Sequence, residues 1–148
     1  MTREEFIEKL DKDKIIYNLA GDVVEITGSN GLGYKWNVQI HHIKKLPPGV
    51  IFNNKGNVHI ADLHEIPEGV QFNNGGNIVL GVATRGIKIH PSTVFNNGKS
   101  KIMIGYNRGG RYMFNTSGDR DESWDGSIEG ISSKRLLNSM IKQGVFER

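Results

Sequence analysis

Five histidines are the first residues in this chain that could do chemistry: His41, His42, His59, His64 and His90. Imidazole carries protons near neutral pH and is a common zinc ligand, but a zinc site needs several rings to converge. On a 20-residue spacing, His59 falls in a column with Gln39 and Val79, and His64 in one with Lys44 and Thr84. The two do not share a column, so no metal site is expected. A second cluster is acidic: Asp119, Asp121, Glu122 and Asp125. A calcium loop needs Gly at its sixth position and Glu at its twelfth, and this segment has neither. It reads as a solvated acidic loop.

Gly28-Ser29-Asn30-Gly31-Leu32-Gly33 carries the glycine spacings of a phosphate loop, but no Gly-Lys-Ser/Thr follows and no helix pattern begins there. It reads as a mobile turn. No Gly-x-Ser-x-Gly anchors a nucleophile, and the acidic pairs are not set in apolar runs that would raise a carboxyl pKa. No catalytic residue and no cofactor is assigned, and the expectation is a protein that is not an enzyme. Arg108-Gly109-Gly110-Arg111-Tyr112 resembles a single RGG element. With Trp124, Lys134 and Arg135 it would give a basic, aromatic surface for nucleic acid, opposed by the acidic loop nearby.

These residues are spread over a chain whose organisation is repetitive. Leu46-Pro47-Pro48-Gly49-Val50-Ile51-Phe52-Asn53-Asn54 returns as Ile66-Pro67-Glu68-Gly69-Val70-Gln71-Phe72-Asn73-Asn74, and again as Ile89-His90-Pro91-Ser92-Thr93-Val94-Phe95-Asn96-Asn97. Phe52 and Phe72 lie 20 residues apart, and Phe72 and Phe95 lie 23 apart. Val38, Val58 and Ile78 form a column, as do Ile40, Ile60 and Leu80, and Ile102 and Ile104 continue both. A fixed period near 20 marks a stacked repeat array. Short alternating runs such as Val58-His59-Ile60 give one strand per repeat, and Val50-Ile51-Phe52 or Val70-Gln71-Phe72 gives a second. The expectation is a mainly β chain, a short parallel β-solenoid with β-helix-like coils about 20 residues long.

In that stack the phenylalanines lie along the inside. The Asn columns sit at corners, where side-chain amides can pair between coils and Asn tolerates left-handed backbone. Gly49 and Gly69 supply positive φ or close approach, and Pro47, Pro48, Pro67 and Pro91 sit at corners. The third coil is longer, with Val82 to Ile89 as added residues, and Lys101 to Tyr106 is the last clear strand. Tyr112-Met113-Phe114 gives one more short strand.

No coil buries its own apolar face, so the array needs caps. Thr2-Arg3-Glu4-Glu5 is a capping box, and Phe6, Ile7 and Leu10 make an apolar face, so residues 3–11 form a cap helix. Lys14 to Leu19 and Val23 to Thr27 form a hairpin joined by Ala20-Gly21-Asp22, and Tyr34 to Ile40 reads as strand. Ser132 or Ser133 starts a second cap helix through Gln143, with Leu136, Leu137, Met140 and Ile141 on its apolar face. The chain is one domain: residues 1–35 as helix and hairpin cap, 36–114 as repeats, 115–148 as acidic loop and cap helix.

Composition narrows the setting. There are no cysteines, which excludes a disulfide framework and suits a reducing cytoplasm. No apolar run is long enough to span a bilayer, and no signal-peptide core is seen. The 19 basic and 16 acidic residues give a net charge of +3, which mildly favours an acidic partner. The outward column Gln39, His59, Val79, Met103 grows more apolar along the array, so Val79 and Met103 are candidate partner contacts, with Arg108, Arg111, Tyr112 and Trp124 beside them. Exposed sheet edges could also pair two copies into a homodimer.

The run Ile66 to Leu80 (Ile-Pro-Glu-Gly-Val-Gln-Phe-Asn-Asn-Gly-Gly-Asn-Ile-Val-Leu) resembles the reiterated Leu-Pro-x-Gly-Val-x-Phe-Asn-Asn-Gly-Gly-x-Val-x-Leu units of short repeat proteins from bacteriophages, prophages and gut bacteria. Thr2 to Leu10, the Gly21-Asp22-Val23 hairpin and the tail Ile131 to Lys142 are similar to segments of the same proteins. The chain departs from them at Gly28 to Lys35 and in its long third repeat. The resemblance implies a phage-type origin and carries no catalytic residues. Small phage proteins without enzymatic motifs often inhibit host defence proteins by binding them. The resulting expectation is a protein-binding module in the bacterial cytoplasm, docking on a host protein such as a defence nuclease in the manner of an anti-CRISPR inhibitor. The alternative is a nucleic-acid-binding module using Arg108 to Tyr112.

Overall fold

The computed structural model describes residues 2–30, 35–82, 86–97, 102–106, 111–112 and 127–130. Helix α1 (Arg3–Lys12) starts where the capping box puts it. Thr2 Oγ1 accepts from the Glu5 amide at 3.1 Å, and Glu5 Oε1 accepts from the Thr2 amide at 3.4 Å. Two donors that a helix start leaves open are thereby satisfied. Glu4 and Glu5 in the first turn and Lys9 and Lys12 in the last oppose the helix dipole. Phe6 and Leu10, one turn apart, are fully buried. Lys14 follows the helix with a φ of 58°, a left-handed exit that strains any residue but glycine.

Strands β1 (Ile15–Ala20) and β2 (Val23–Ser29) form the expected hairpin. Its connection has two residues rather than three, because Ala20 pairs with Val23. Gly21 takes a φ of 61°, as the first position of a type II′ turn requires. Strand β2 runs past Thr27, so Gly28 and Ser29 are strand and not the start of a loop. Gly31 and Gly33 lie outside the described residues. Arg3 Nη2 donates to Gly21 O at 2.6 Å and Tyr17 Oη donates to Asp11 Oδ1 at 2.7 Å, which ties α1 alongside β1.

After the hairpin come β3 (Val38–Ile40), β4 (Val50–Phe52), β5 (Val58–Leu63), β6 (Glu65–Ile66) and β7 (Gln71–Phe72). Then follow β8 (Ile78–Val82), β9 (Gly86–Ile89), β10 (Val94–Phe95), β11 (Ile102–Tyr106), β12 (Arg111–Tyr112) and β13 (Ser127–Gly130). The protein is mainly β, in three sheets. The phenylalanine sheet has the order β1-β2-β4-β7-β10, the histidine sheet β12-β11-β8-β5-β3, and the third sheet β13-β9-β6. Pairing is antiparallel only for β1–β2 and β11–β12 and parallel elsewhere. Between parallel neighbours the chain crosses the other two sheets, always in the same order.

The registers reproduce the sequence columns. Val38 pairs with Val58, Val58 with Ile78, and Ile78 with Ile102. Phe52, Phe72 and Phe95 align in the same way, with ring centroids 4.9 and 5.2 Å apart and planes within 2° and 1°. Each stacked pair contributes about 0.5–1.5 kcal/mol beyond the burial of its area. Both sheets feed one core, which Phe6, Leu10, Ile15, Val24 and Ile26 join from the N-terminal segment.

The third sheet departs from the expected two strands per repeat. Gly86–Ile89 is no mere insertion: it pairs as β9 with β6 and with β13. A two-residue strand shows no alternation, and neither does the Lys45–Glu65 bridge that continues this sheet, so no periodicity marks it. Strand β13 was not anticipated. The expected strand from Tyr34 shrinks to Val38–Ile40, with Lys35 and Trp36 in a turn. The helix expected from Ser132 to Gln143, and Met113 and Phe114, lie outside the described residues.

The asparagine columns also work differently from the expectation. The side chains of Asn37, Asn54, Asn57, Asn74 and Asn97 bond backbone, while Asn53 donates to Glu25 Oε2 and Asn73 to Gln71 Oε1. The buried Asn54 Nδ2 donates to the carbonyls of Trp36 at 2.8 Å, Asn57 at 3.0 Å and Gly56 at 3.2 Å. Asn74 Nδ2 reaches Gly76, Gly56 and Asn77 at 3.0, 3.1 and 3.4 Å. Asn37 Oδ1 accepts from the Asn57 amide, and Asn57 Oδ1 from the Asn77 amide, each at 2.8 Å. No described Asn has positive φ; Gly49 and Gly69 do, at 78° each. Most of these carbonyls also accept a backbone amide from the neighbouring level, Trp36 from Gly56, Gly56 from Gly76, Asn57 from Val38 and Asn77 from Val58, so the Asn amide fills a second lone pair and locks the two levels together.

Asn74→Ala should therefore cost about 2 kcal/mol, since it removes a buried amide that bonds carbonyls on two repeats and leaves its space empty, whereas Asn53→Ala, at an exposed position, should cost under about 0.5 kcal/mol. Urea unfolding of both variants measures the contrast. A second expectation concerns Tyr17, whose hydrogen bond to Asp11, together with desolvation and the Asp11 charge, holds the phenol above its ordinary pKa. The stability this bond supplies is present below the phenol's ordinary pKa and is lost as pH rises through the raised one. In an alkaline absorbance titration the component removed by Tyr17→Phe should be late, and Asp11→Asn should bring it earlier.

Candidate recognition face

The histidine sheet gathers most of the residues that the sequence singles out. In it Gln39, His59, Val79 and Met103 stand in one register column. Gln39 is exposed, and His59 and Val79 are half-buried. Each lies between buried neighbours: Val38 and Ile40, Val58 and Ile60, Ile78 and Leu80. Alternation therefore turns Gln39, His59 and Val79 outward. Arg111 and Tyr112 form β12 at the edge of the same sheet, paired through Tyr106 and Gly105. Four of the six candidate contact residues thus share one sheet. Arg108 and Trp124 lie outside the described residues.

Two features at the ends of this face were missed in the sequence. The first is Trp36, with Lys35 Nζ 4.6 Å and Lys55 Nζ 4.8 Å from its ring centroid. Trp36 is half-buried, and an ammonium group over such an indole contributes about 1 kcal/mol. Lys35 and Lys55 are 20 residues apart, so the repeat spacing already places them in one column with Trp36 beside them. The backbone beneath is tight. A Cβ on Gly56 would lie 2.7 Å from the Trp36 carbonyl oxygen, and it would also run into Asn37 Oδ1. Only glycine lets the second repeat approach the first this closely.

The second feature is a histidine corner. The His41 ring lies 6.1 Å from that of His59, edge to face, and 6.2 Å from that of His42. His42 Nδ1 is 3.1 Å from Asp62 Oδ2. His42 and Asp62 also share left-handed backbone, with φ of 59° and 64°. His41 lies two residues past Gln39, hence diagonal to His59, and long side chains interact across that diagonal. Comparing whole columns misses such a pair. His64 sits between β5 and β6, and His90 caps a turn, its Nδ1 accepting from the Ser92 amide at 3.0 Å. Among the described residues no three potential metal ligands converge.

Flat rings, imidazoles and ammonium groups on a rigid sheet suit contact with another macromolecule's surface. Among the described residues no helix is long and apolar enough to cross a membrane. Comparison with protein-family models, curated proteins and solved structures finds no match.

Two substitutions at Trp36 should separate. Gly56→Ala should destabilise by more than about 2 kcal/mol, because backbone must move, and should shift tryptophan emission. Lys55→Ala should leave the backbone alone and cost about 1 kcal/mol.

Proposed function

We propose that this chain is a non-enzymatic protein-binding module. Its repeats form a short parallel β-solenoid, closed at one end by α1 and the hairpin. The resemblance of its repeats to those of phage and gut-bacterial proteins favours a phage-type inhibitor. It would act in the bacterial cytoplasm by docking on a host protein such as a defence nuclease. One observation carries the binding reading. The outward column from Gln39 through His59 to Val79 varies in type while the inward columns stay apolar, and it is bounded by Trp36 and His41. Where packing does not fix a residue, variation on a rigid face is free to fit a partner.

A second reading is a nucleic-acid-binding module. Two lysines around Trp36, beside β3, favour it, with Arg111 and Tyr112 in β12 at the opposite edge of the histidine sheet. Cations with an aromatic platform suit single strands.

A tagged pull-down from bacterial lysate, with and without nuclease, tests the two. The protein-binding reading expects one host protein to survive nuclease and to be lost with His59→Ala combined with Val79→Asp. Partners that vanish on digestion, with binding that weakens steeply with salt and on Lys55→Ala, would overturn it in favour of the second.

A further inference from the structure

The phenylalanine sheet ends in β1, and among the described residues no strand pairs with its free edge. This edge is unlike the other ends. Strand β10 has two residues and β3 has three, whereas β1 has six: Ile-Ile-Tyr-Asn-Leu-Ala. It carries no charge and no proline, the usual guards of an open edge. Ile16 is 40% exposed and Leu19 is 52% exposed. The irregularity of the hairpin lies opposite: Ile16 pairs with Gly28 and Tyr17 with Ile26, so Thr27 is the extra residue, on β2. The edge of β1 itself stays regular. Arg3 and Asp11 hold α1 beside Gly21 and Tyr17 without covering Leu19.

We propose that β1 pairs antiparallel with β1 of a second copy, Asn18 facing Asn18 across the two-fold axis. Parity restricts the register. In a two-residue hairpin the pair next to the turn, Ala20 and Val23, exchanges both ladder bonds. Asn18 and Ala20 therefore turn their amides toward β2, and Tyr17 and Leu19 turn theirs outward. A second strand must meet outward residues with outward residues. Centring on Asn18 sets Tyr17 against the partner's Leu19 and Ile16 against the partner's Ala20, which covers both exposed side chains. It also brings Lys14, just before the strand, opposite the partner's Asp22, twice by symmetry. Both residues are exposed and have opposite charge. The register one step away, centred on Tyr17, faces Lys14 with Ala20 and leaves Asp22 opposite Lys12, on the helix.

The chain has no cysteine, so Asn18→Cys introduces a sole thiol on the proposed axis. A pair between ladder bonds brings its Cα atoms to about 4.5 Å, within disulfide reach. Mild oxidation should link Asn18→Cys into a covalent dimer, whereas Asn53→Cys, exposed elsewhere, should stay monomeric. In sedimentation velocity the wild type should run at twice its 16.5 kDa chain mass. Lys14→Glu should weaken association by about tenfold or more, and adding Asp22→Lys should restore it. Circular dichroism of each variant confirms that it is folded. A wild type that is monomeric at the highest soluble concentration would overturn the proposal. So would a dimer that Leu19→Lys leaves intact, or an Asn18→Cys variant no more readily linked than Asn53→Cys.

Discussion

Backbone contact between successive repeats at the asparagine–glycine corner sets the spacing on which everything else depends. A Cβ on Gly76 would lie 2.7 Å from the Gly56 carbonyl carbon, and one on Gly28 would lie 2.7 Å from Lys35 O. With side chains excluded, the repeats settle at ladder distance, about 4.8 Å. The Trp36 and Gly56 carbonyls, each already bonded to a backbone amide, accept a second donor from Asn54 and Asn74, and the Gly76 carbonyl accepts from Asn97. The same distance brings the phenylalanine rings into parallel stacks and lets each apolar column close over the next. Corner and core thus depend on one another: the amides hold a spacing that the rings need, and the rings fill the space that spacing encloses.

The outward face follows from this economy. Inward positions answer to packing and corner positions to hydrogen bonding, which leaves the exposed side of each short strand unconstrained. There the residues differ from repeat to repeat, Gln39 giving way to His59 and then Val79. The left-handed backbone of His42 and Asp62 bends the chain sharply beside that face. Strain at these positions is tolerated because the ladders on either side fix the chain, so the corner presents its imidazole and carboxylate at a fixed angle.

Much of this was legible in the sequence, and for identifiable reasons. The repeat spacing is a covalent fact, and parallel register converts it directly into contacts, so the Val38, Ile40 and Phe52 columns could be read off by counting. The capping box was equally plain, because both partners lie within one turn. The third sheet was not legible: a strand of two residues has no period, and Gly86–Ile89 looked like an insertion. The role of the asparagines was half-legible, since the column was visible but its hydrogen-bond partners are backbone atoms, which carry no letter. The candidate face was legible as a column and not as a surface. His41 meets His59 and Lys55 meets Trp36 across neighbouring columns, and alignment by single columns does not look there.

One pattern in the ladders reaches beyond shape. Lys45 lies against Glu65, their charged atoms 3.1 Å apart, and Glu65 in turn pairs in register with Lys88. In the next column but two, His42 stands against Asp62. Parallel stacking places each side chain directly over its counterpart, so a faithful copy of one repeat would set like charge on like charge. The Lys45–Glu65–Lys88 column avoids this by alternating sign from one level to the next, whereas Lys35 and Lys55 stand like over like and share the Trp36 ring. In that alternating column the geometric unit is one repeat, but the electrostatic unit is two. Lengthening that column by tandem copies avoids charge conflict only when repeats are added in pairs or the copied charge is changed.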